Sequence, residues 1–162
     1  MERIYLRMGD IALCPTPAEI ITVLGSCVSV CLWDSRLFIG GMNHFRAPIA
    51  PPHLKQSNAY GDNSIRTLIQ GMLELGSRKR DLSAIILGGG SVIEEIEIHL
   101  NIGRDNIRFA EEFLDREGII IRSSHTGRDF GRKIAFNTLK GTATIRRVRS
   151  LRNISGKKKS QG

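Results

Sequence analysis

No apolar run in this sequence approaches the roughly 20 residues that a membrane-spanning helix needs. Residues 1–10 also lack the long apolar core of a secretory signal. The expectation is a cytoplasmic protein with no segment inserted in a membrane. Cysteine is scarce and odd in number, three in 162 residues, which predicts free thiols in a reducing compartment and no disulfide framework. Acidic residues are missing from residues 140–162, where Lys140, Arg146, Arg147, Arg149, Arg152, Lys157, Lys158 and Lys159 supply eight positive charges. Those eight equal the formal net charge of +8, so residues 1–139 are balanced at 16 basic against 16 acidic side chains. The basic character describes a tail, not a binding face, and residues 150–162 hold no aromatic side chain to stack on bases. Nucleic acid is therefore not an expected partner.

What is present suits one globular domain over residues 1–149, long enough to bury about two thirds of its unfolded surface without disulfides or metal. Residues 150–162 are expected to be a disordered basic tail. Short β-branched or alternating segments at residues 3–6, 19–24, 28–34 and 37–44 predict four strands arranged in hairpins. Pro48, Pro51 and Pro52 then force an irregular loop. From Asp62 the period changes: Ile65, Leu68, Ile69, Met72 and Leu73 define an amphipathic helix that Asp62 can cap and Gly76 can end. A buried strand at 84–87, a helix at about 105–117, a strand at 119–122 and a hairpin at 133–148 around Gly141 follow. Residues 93–100, with three glutamates, take no assignment. The fold class is α+β, a layered sandwich of sheets flanked by helices.

The stretch "LGSCVSVCLWDSRLFIGGMNHF", residues 24–45, carries the chemistry. Val28, Val30 and Leu32 alternate with Cys27, Ser29, Cys31 and Trp33, and Gly25-Ser26 is a turn, so Cys27 sits at a loop-to-strand junction. Free cysteine most often simply packs in a core. A zinc site from Cys27, Cys31, His44 and His53 fails on geometry. Four residues of strand span about 13 Å, whereas two sulfurs on one zinc lie within about 4 Å of each other. The same separation excludes a Cys27–Cys31 disulfide. With Ser35-Arg36 as a two-residue turn, pairing Asp34 with Leu37 and counting outward sets His44 opposite Cys27, to within a residue. The run "ILGGGS", 86–91, lacks the Gly-Lys-Ser/Thr ending of a phosphate loop and reads as a turn. His53, His99 and His125 are isolated and read as surface or structural, and Cys14 as a packed thiol.

"LGSCVSVCLWD" followed by "GGMNHF" and a proline resembles the CheD family of chemoreceptor glutamine deamidases. "NIGRDN" (101–106), Gly88-Gly89 and "GRKIAFNT" (131–138) add to the likeness, which covers about residues 1–148. Residues 93–100 and "SHTGRDFG" (124–131) depart from the family's pattern. The resemblance implies a fold related to deamidating toxins that are cysteine hydrolases, with Cys27 as nucleophile, His44 as base and no cofactor. A threonine shortly before the cysteine completes the family's triad, and Thr22 is the nearest here. Backbone N–H groups around Ser26 and Cys27, or the side chain of Asn43, are the candidate oxyanion donors. The implied reaction converts glutamine to glutamate on chemotaxis receptors, with methylesterase activity as a secondary expectation. The implied partners are the receptor's cytoplasmic domain and the chemotaxis phosphatase CheC. A binding module that grips receptor or CheC with little turnover is the alternative.

Overall fold

A computed structural model describes residues 1–91 and 101–148. The unassigned acidic stretch, His99 and the basic tail lie outside the described residues. In chain order the described elements are β1 (Glu2–Tyr5), β2 (Ile11–Cys14), β3 (Ala18–Leu24), β4 (Val28–Asp34), β5 (Ile39–Asn43), α1 (Gly61–Glu74), β6 (Leu82–Gly88), α2 (Ile102–Arg116), β7 (Ile120–Thr126), β8 (Gly131–Asn137) and β9 (Thr142–Val148). Short 3-10 turns occupy Pro52–Leu54 and Lys79–Asp81. No described helix is long and apolar enough to cross a membrane.

The strands form a four-stranded sheet, β1-β3-β8-β9, and a five-stranded sheet, β2-β5-β4-β6-β7. Alternation along β4 explains how they stack, because successive side chains leave opposite faces. Val28, Val30 and Leu32 face the helices and cluster with Ile65, Leu68 and Met72 of α1 and Ala110 and Leu114 of α2. Cys31 faces the other way, into a cluster with Met42, Leu87 and, from the four-stranded sheet, Ile20, Leu24, Ile134 and Phe136. β4 and β5 are thus covered on both faces. The predicted α+β layering is observed, with both helices on one side of the five-stranded sheet. Each fully buried aliphatic or aromatic side chain in these clusters stabilises the fold by about 1.5–3 kcal/mol.

Several readings change. The early segments hold five strands, β2 being unexpected, and of these only β4–β5 is a hairpin, because β1 pairs in parallel with β3 and β3 and β4 lie in different sheets. α1 begins at Gly61 after Tyr60 without a side-chain cap, and the Asp62 carboxylate instead accepts from Ala50 N and Asn63 N. α2 begins three residues early because Asn101 caps it, its Oδ1 accepting Arg104 N at 3.0 Å. The β4–β5 hairpin closes with four residues, not two. Buried Asp34 accepts both Arg36 N (2.8 Å) and Leu37 N (3.1 Å), Phe38 takes φ +56°, and Asp34 pairs with Ile39. The register therefore slides by two residues, which keeps every side chain on its expected face.

Candidate functional site

The segment Gly25-Ser26-Cys27 joins β3, in one sheet, to β4, in the other, so the cysteine lies where the two sheets part. All three carbonyls of this loop are held inward. Gly25 O accepts Gly90 N at 2.9 Å, Cys27 O accepts Gly89 N at 2.9 Å, and Ser26 O accepts Asn106 Nδ2 at 3.0 Å. The N–H groups of Ser26 and Cys27 donate to no partner among the described residues. Gly88, at φ +102°, lets the chain pass this close, since a Cβ there would strike the Cys27 carbonyl.

Val28 and Phe45 exchange both backbone hydrogen bonds, each 3.0 Å. Continuing that register sets Cys27 opposite Arg46 and His44 opposite Ser29, so Cys27 and His44 are diagonal neighbours rather than a direct pair. Cys27 packs against the inter-sheet cluster, and His44 turns to the same face to meet Thr22 of β3. Diagonal positions lie about 7–8 Å apart at the backbone, within reach of an imidazole. Asn43 interrupts the ladder just before His44. Its Oδ1 takes Val30 N at 2.7 Å, in the place a backbone carbonyl would fill, and the regular β4–β5 pairing stops at Met42. The Asn43 Nδ2 is buried without a partner.

Thr22 Oγ1 lies 2.8 Å from Leu6 O and 2.8 Å from His44 Nδ1. A hydroxyl has one proton, and the carbonyl can only accept. The arrangement that satisfies both contacts has Thr22 donating to Leu6 O and His44 Nδ1–H donating to Thr22 Oγ1. That fixes the imidazole with its proton on Nδ1 and leaves the Nε2 lone pair as a base. Burial drives the His44 pKa from 6.5 down to about 4, with Asp10 opposing, so the ring is neutral near pH 7.

Cys27 is half-buried, whereas Cys14 and Cys31 are buried. Burial pushes the Cys27 thiol up, and the Arg46 guanidinium pulls it down. Burial with Glu2 nearby raises Cys14 to about 11, and full burial raises Cys31 further. Only Cys27 combines exposure with an opposing cation. The resting site is therefore a neutral thiol sharing a face with a neutral, oriented imidazole, the composition of a base-activated nucleophile.

The structure brings together Thr22 and His44, sets Cys27 and the Ser26 amide at the sheet junction, and locks Asn43 into the strand ladder. Sequence reasoning missed the Leu6 carbonyl and Asn106. Nothing local marks Leu6, while Asn106 ends the quoted "NIGRDN" run and is the polar member of an otherwise small and apolar buried helix stripe. His125 also has a partner, Arg132 Nε donating to its Nδ1 at 2.8 Å.

A family profile described as "CheD chemotactic sensory transduction" matches residues 49–147. The "Probable chemoreceptor glutamine deamidase CheD 1" of Anaeromyxobacter dehalogenans is 36% identical, over 90% of this chain and 85% of that protein. The "Probable chemoreceptor glutamine deamidase CheD" of Trichlorobacter lovleyi is 38% identical, over 91% of each chain, and that of Rhizobium leguminosarum is 38% identical, over 88% and 78%. Although the profile match begins after His44, an alignment over 90% of the chain must include residues 22–44 wherever it starts. The chain thus belongs to the CheD family.

Proposed function

We propose that this chain is a protein-glutamine deamidase acting on chemotaxis receptors, with Cys27 as nucleophile, His44 as general base and acid, and Thr22 orienting His44. The observation that carries the reading is the 2.8 Å contact between Thr22 and His44 Nδ1. It leaves Nε2 free on the face shared with the least buried thiol. The names printed for the relatives supply the substrate class.

His44 Nε2 takes the thiol proton as the sulfur adds to the side-chain carboxamide carbon, and the carbonyl oxygen becomes an oxyanion. The unpartnered N–H groups of Ser26 and Cys27 receive that oxyanion. Asn43, engaged in the ladder and sealed from solvent, is the weaker of the two candidate donors. The imidazolium then protonates the nitrogen, ammonia leaves, and a thioester remains. A water that gives its proton to His44 attacks the thioester carbon, the carbon–sulfur bond breaks, and the sulfur recovers its proton. Glutamine plus water thus becomes glutamate plus ammonia. A glutamyl methyl ester enters the same path more easily because methanol is the better leaving group. The phosphatase CheC, as the second partner, competes with the receptor for this mouth.

The test is mass spectrometry of a receptor cytoplasmic fragment incubated with wild type and with Cys27→Ala. The expected result is a shift of about +1 Da per amide converted to acid, accompanied by ammonia, with wild type alone. No shift and no ammonia with wild type would sink the reading.

A further inference from the structure

Asn106 is fully buried on α2, in the stripe Gly103, Asn106, Ala110, Phe113 and Leu114 that faces the five-stranded sheet. An apolar residue is what that stripe calls for. α2 comes close enough for Asn106 to reach the chain just outside β4 and β5 because Gly103 has no side chain, since a Cβ there would collide with the Gly89 backbone. The Asn106 Nδ2 donates to two carbonyls from distant parts of the chain: Ser26 O at 3.0 Å and Arg46 O at 3.0 Å. One lies just before Cys27 and the other two residues beyond His44. Its Oδ1 is buried with no partner. A buried amide with one end unsatisfied is costly to stability, and what offsets that cost is the pair of carbonyls the other end holds.

The Ser26 carbonyl and the Cys27 N–H belong to one peptide unit. Among the described residues no peptide bond is cis, and a trans peptide directs its C=O and N–H to opposite sides. Holding Ser26 O inward therefore turns Cys27 N–H to the opposite side, away from α2. The neighbouring unit is held alike, with Gly25 O on Gly90 N and Ser26 N–H left free. Backbone geometry at this loop is thus set from behind by one side chain and two glycine amides, and the same side chain ties in the strand end that follows His44.

We propose that Asn106 is a positioning residue for the reaction. By gripping Ser26 O, with Arg46 O as its second anchor, it aims the Cys27 N–H at the developing oxyanion. This rests on the deamidase reading above.

The test compares wild type with Asn106→Leu, which removes both donors, and Asn106→Asp, which keeps the shape without the amide donors. Two rates are measured, deamidation of a receptor cytoplasmic fragment and alkylation of Cys27 by iodoacetamide. Alkylation displaces iodide and builds no oxyanion, so it reports the thiol and its base alone. The expected outcome is a fall in kcat of about 100-fold, the size of one lost oxyanion donor. KM should change by less than about threefold, with the rate and pH profile of alkylation unchanged. Asn106→Asp carries the test if Asn106→Leu does not fold. Wild-type kcat in either folded variant overturns the proposal. A loss of alkylation parallel to the loss of kcat also overturns it, by placing the effect on the thiol. Failure of the deamidase reading is distinguishable, because wild type itself would then release no ammonia.

Discussion

The two faces of the five-stranded sheet come from the same strands and are both apolar, but only one carries the sulfur and imidazole groups. Toward the helices, Val28, Val30, Leu32, Ala84 and Ile86 close on α1 and α2 with apolar side chains. Toward the second sheet, the interleaved positions add Cys27, Cys31 and His44 to an apolar layer with Met42, Leu87, Ile20 and Phe136, and His44 meets Thr22 of β3. Within that second face the contrast sharpens further. Cys27 and Cys31 lie four residues apart on one side of one strand, yet Cys31 is sealed and Cys27 is half-open because the sheets separate at the Gly25-Ser26-Cys27 loop. Accessibility here follows position along the layer, since residue type and face are the same for both cysteines.

Exchanging the two cysteines by mutation is the strongest way to break that contrast. Cys27→Ala is expected to lower deamidation by at least about 10⁴-fold, as loss of a nucleophile does, while Cys31→Ala leaves kcat within about threefold. Peptide mapping after brief iodoacetamide treatment should find the label on Cys27 and not on Cys14 or Cys31. Label on Cys31 in the folded chain would mean the inter-sheet layer is open along its length, and the comparison would fail.

The next effect belongs to His44, whose burial should register in stability. In the folded chain it gains a proton only near pH 4, against 6.5 for the ordinary group. Between those values the unfolded chain binds more protons, so acidification through that window favours unfolding. The loss is about 1.4 kcal/mol per pH unit, about 3 kcal/mol in total, and it levels off below the folded pKa. Urea unfolding of wild type and His44→Gln from pH 7.5 to 3.5 isolates this term from the carboxylates both share. The difference between the two proteins should shrink steadily as pH falls from about 6.5 to about 4. A difference that does not vary with pH would contradict the buried, neutral imidazole.

Legibility followed the range of the interactions. α1 was plain in the sequence because its stripe of Ile65, Leu68, Ile69 and Met72 repeats within one element, and β4 because its alternation runs unbroken from Val28 to Asp34. β2 was not legible. Four residues between Asp10 and Pro15 become a strand only because Gly40–Asn43 lies alongside. The hairpin register slipped because the buried Asp34 carboxylate, rather than a two-residue turn type, organises the reversal. At the site, Cys27 and His44 share a parity that any even shift preserves, so their common face was readable without the exact register. Thr22 was suggested by resemblance, but its hold on His44 depends on the Leu6 carbonyl beyond it, a contact across 16 residues that no spacing announces.

Thr22 gives the third effect, smaller because a hydroxyl orients the ring without carrying charge. Thr22→Val keeps the shape but removes both the acceptor for His44 Nδ1–H and the donor to Leu6 O. The expected fall in kcat is about 10- to 100-fold, below the roughly 10⁴-fold that a carboxylate contributes in a triad, with KM little changed. Thr22→Ser should restore most of it, because the same two hydrogen bonds re-form. Equal activity in Thr22→Val and Thr22→Ser would show that packing, not the hydroxyl, sets the ring.

The smallest effect separates the two neighbours of the thiol. Arg46 lies opposite Cys27 in the extended register, is exposed, and has its guanidinium 5.7 Å from the Tyr60 ring centre. Its charge favours the thiolate against the burial that opposes it. Arg46→Gln should therefore move the pH profile of Cys27 alkylation to higher pH and slow the reaction at pH 8. An exposed charge works through screened solvent, so the slowing should be no more than about fivefold and should shrink as salt is raised. Arg46→Lys should keep the wild-type profile, since the effect needs charge rather than the guanidinium fork. A shift that persists in high salt would show that Arg46 acts through the loop's shape instead, and would assign the opening at Cys27 to packing around Tyr60 rather than to the field at the mouth.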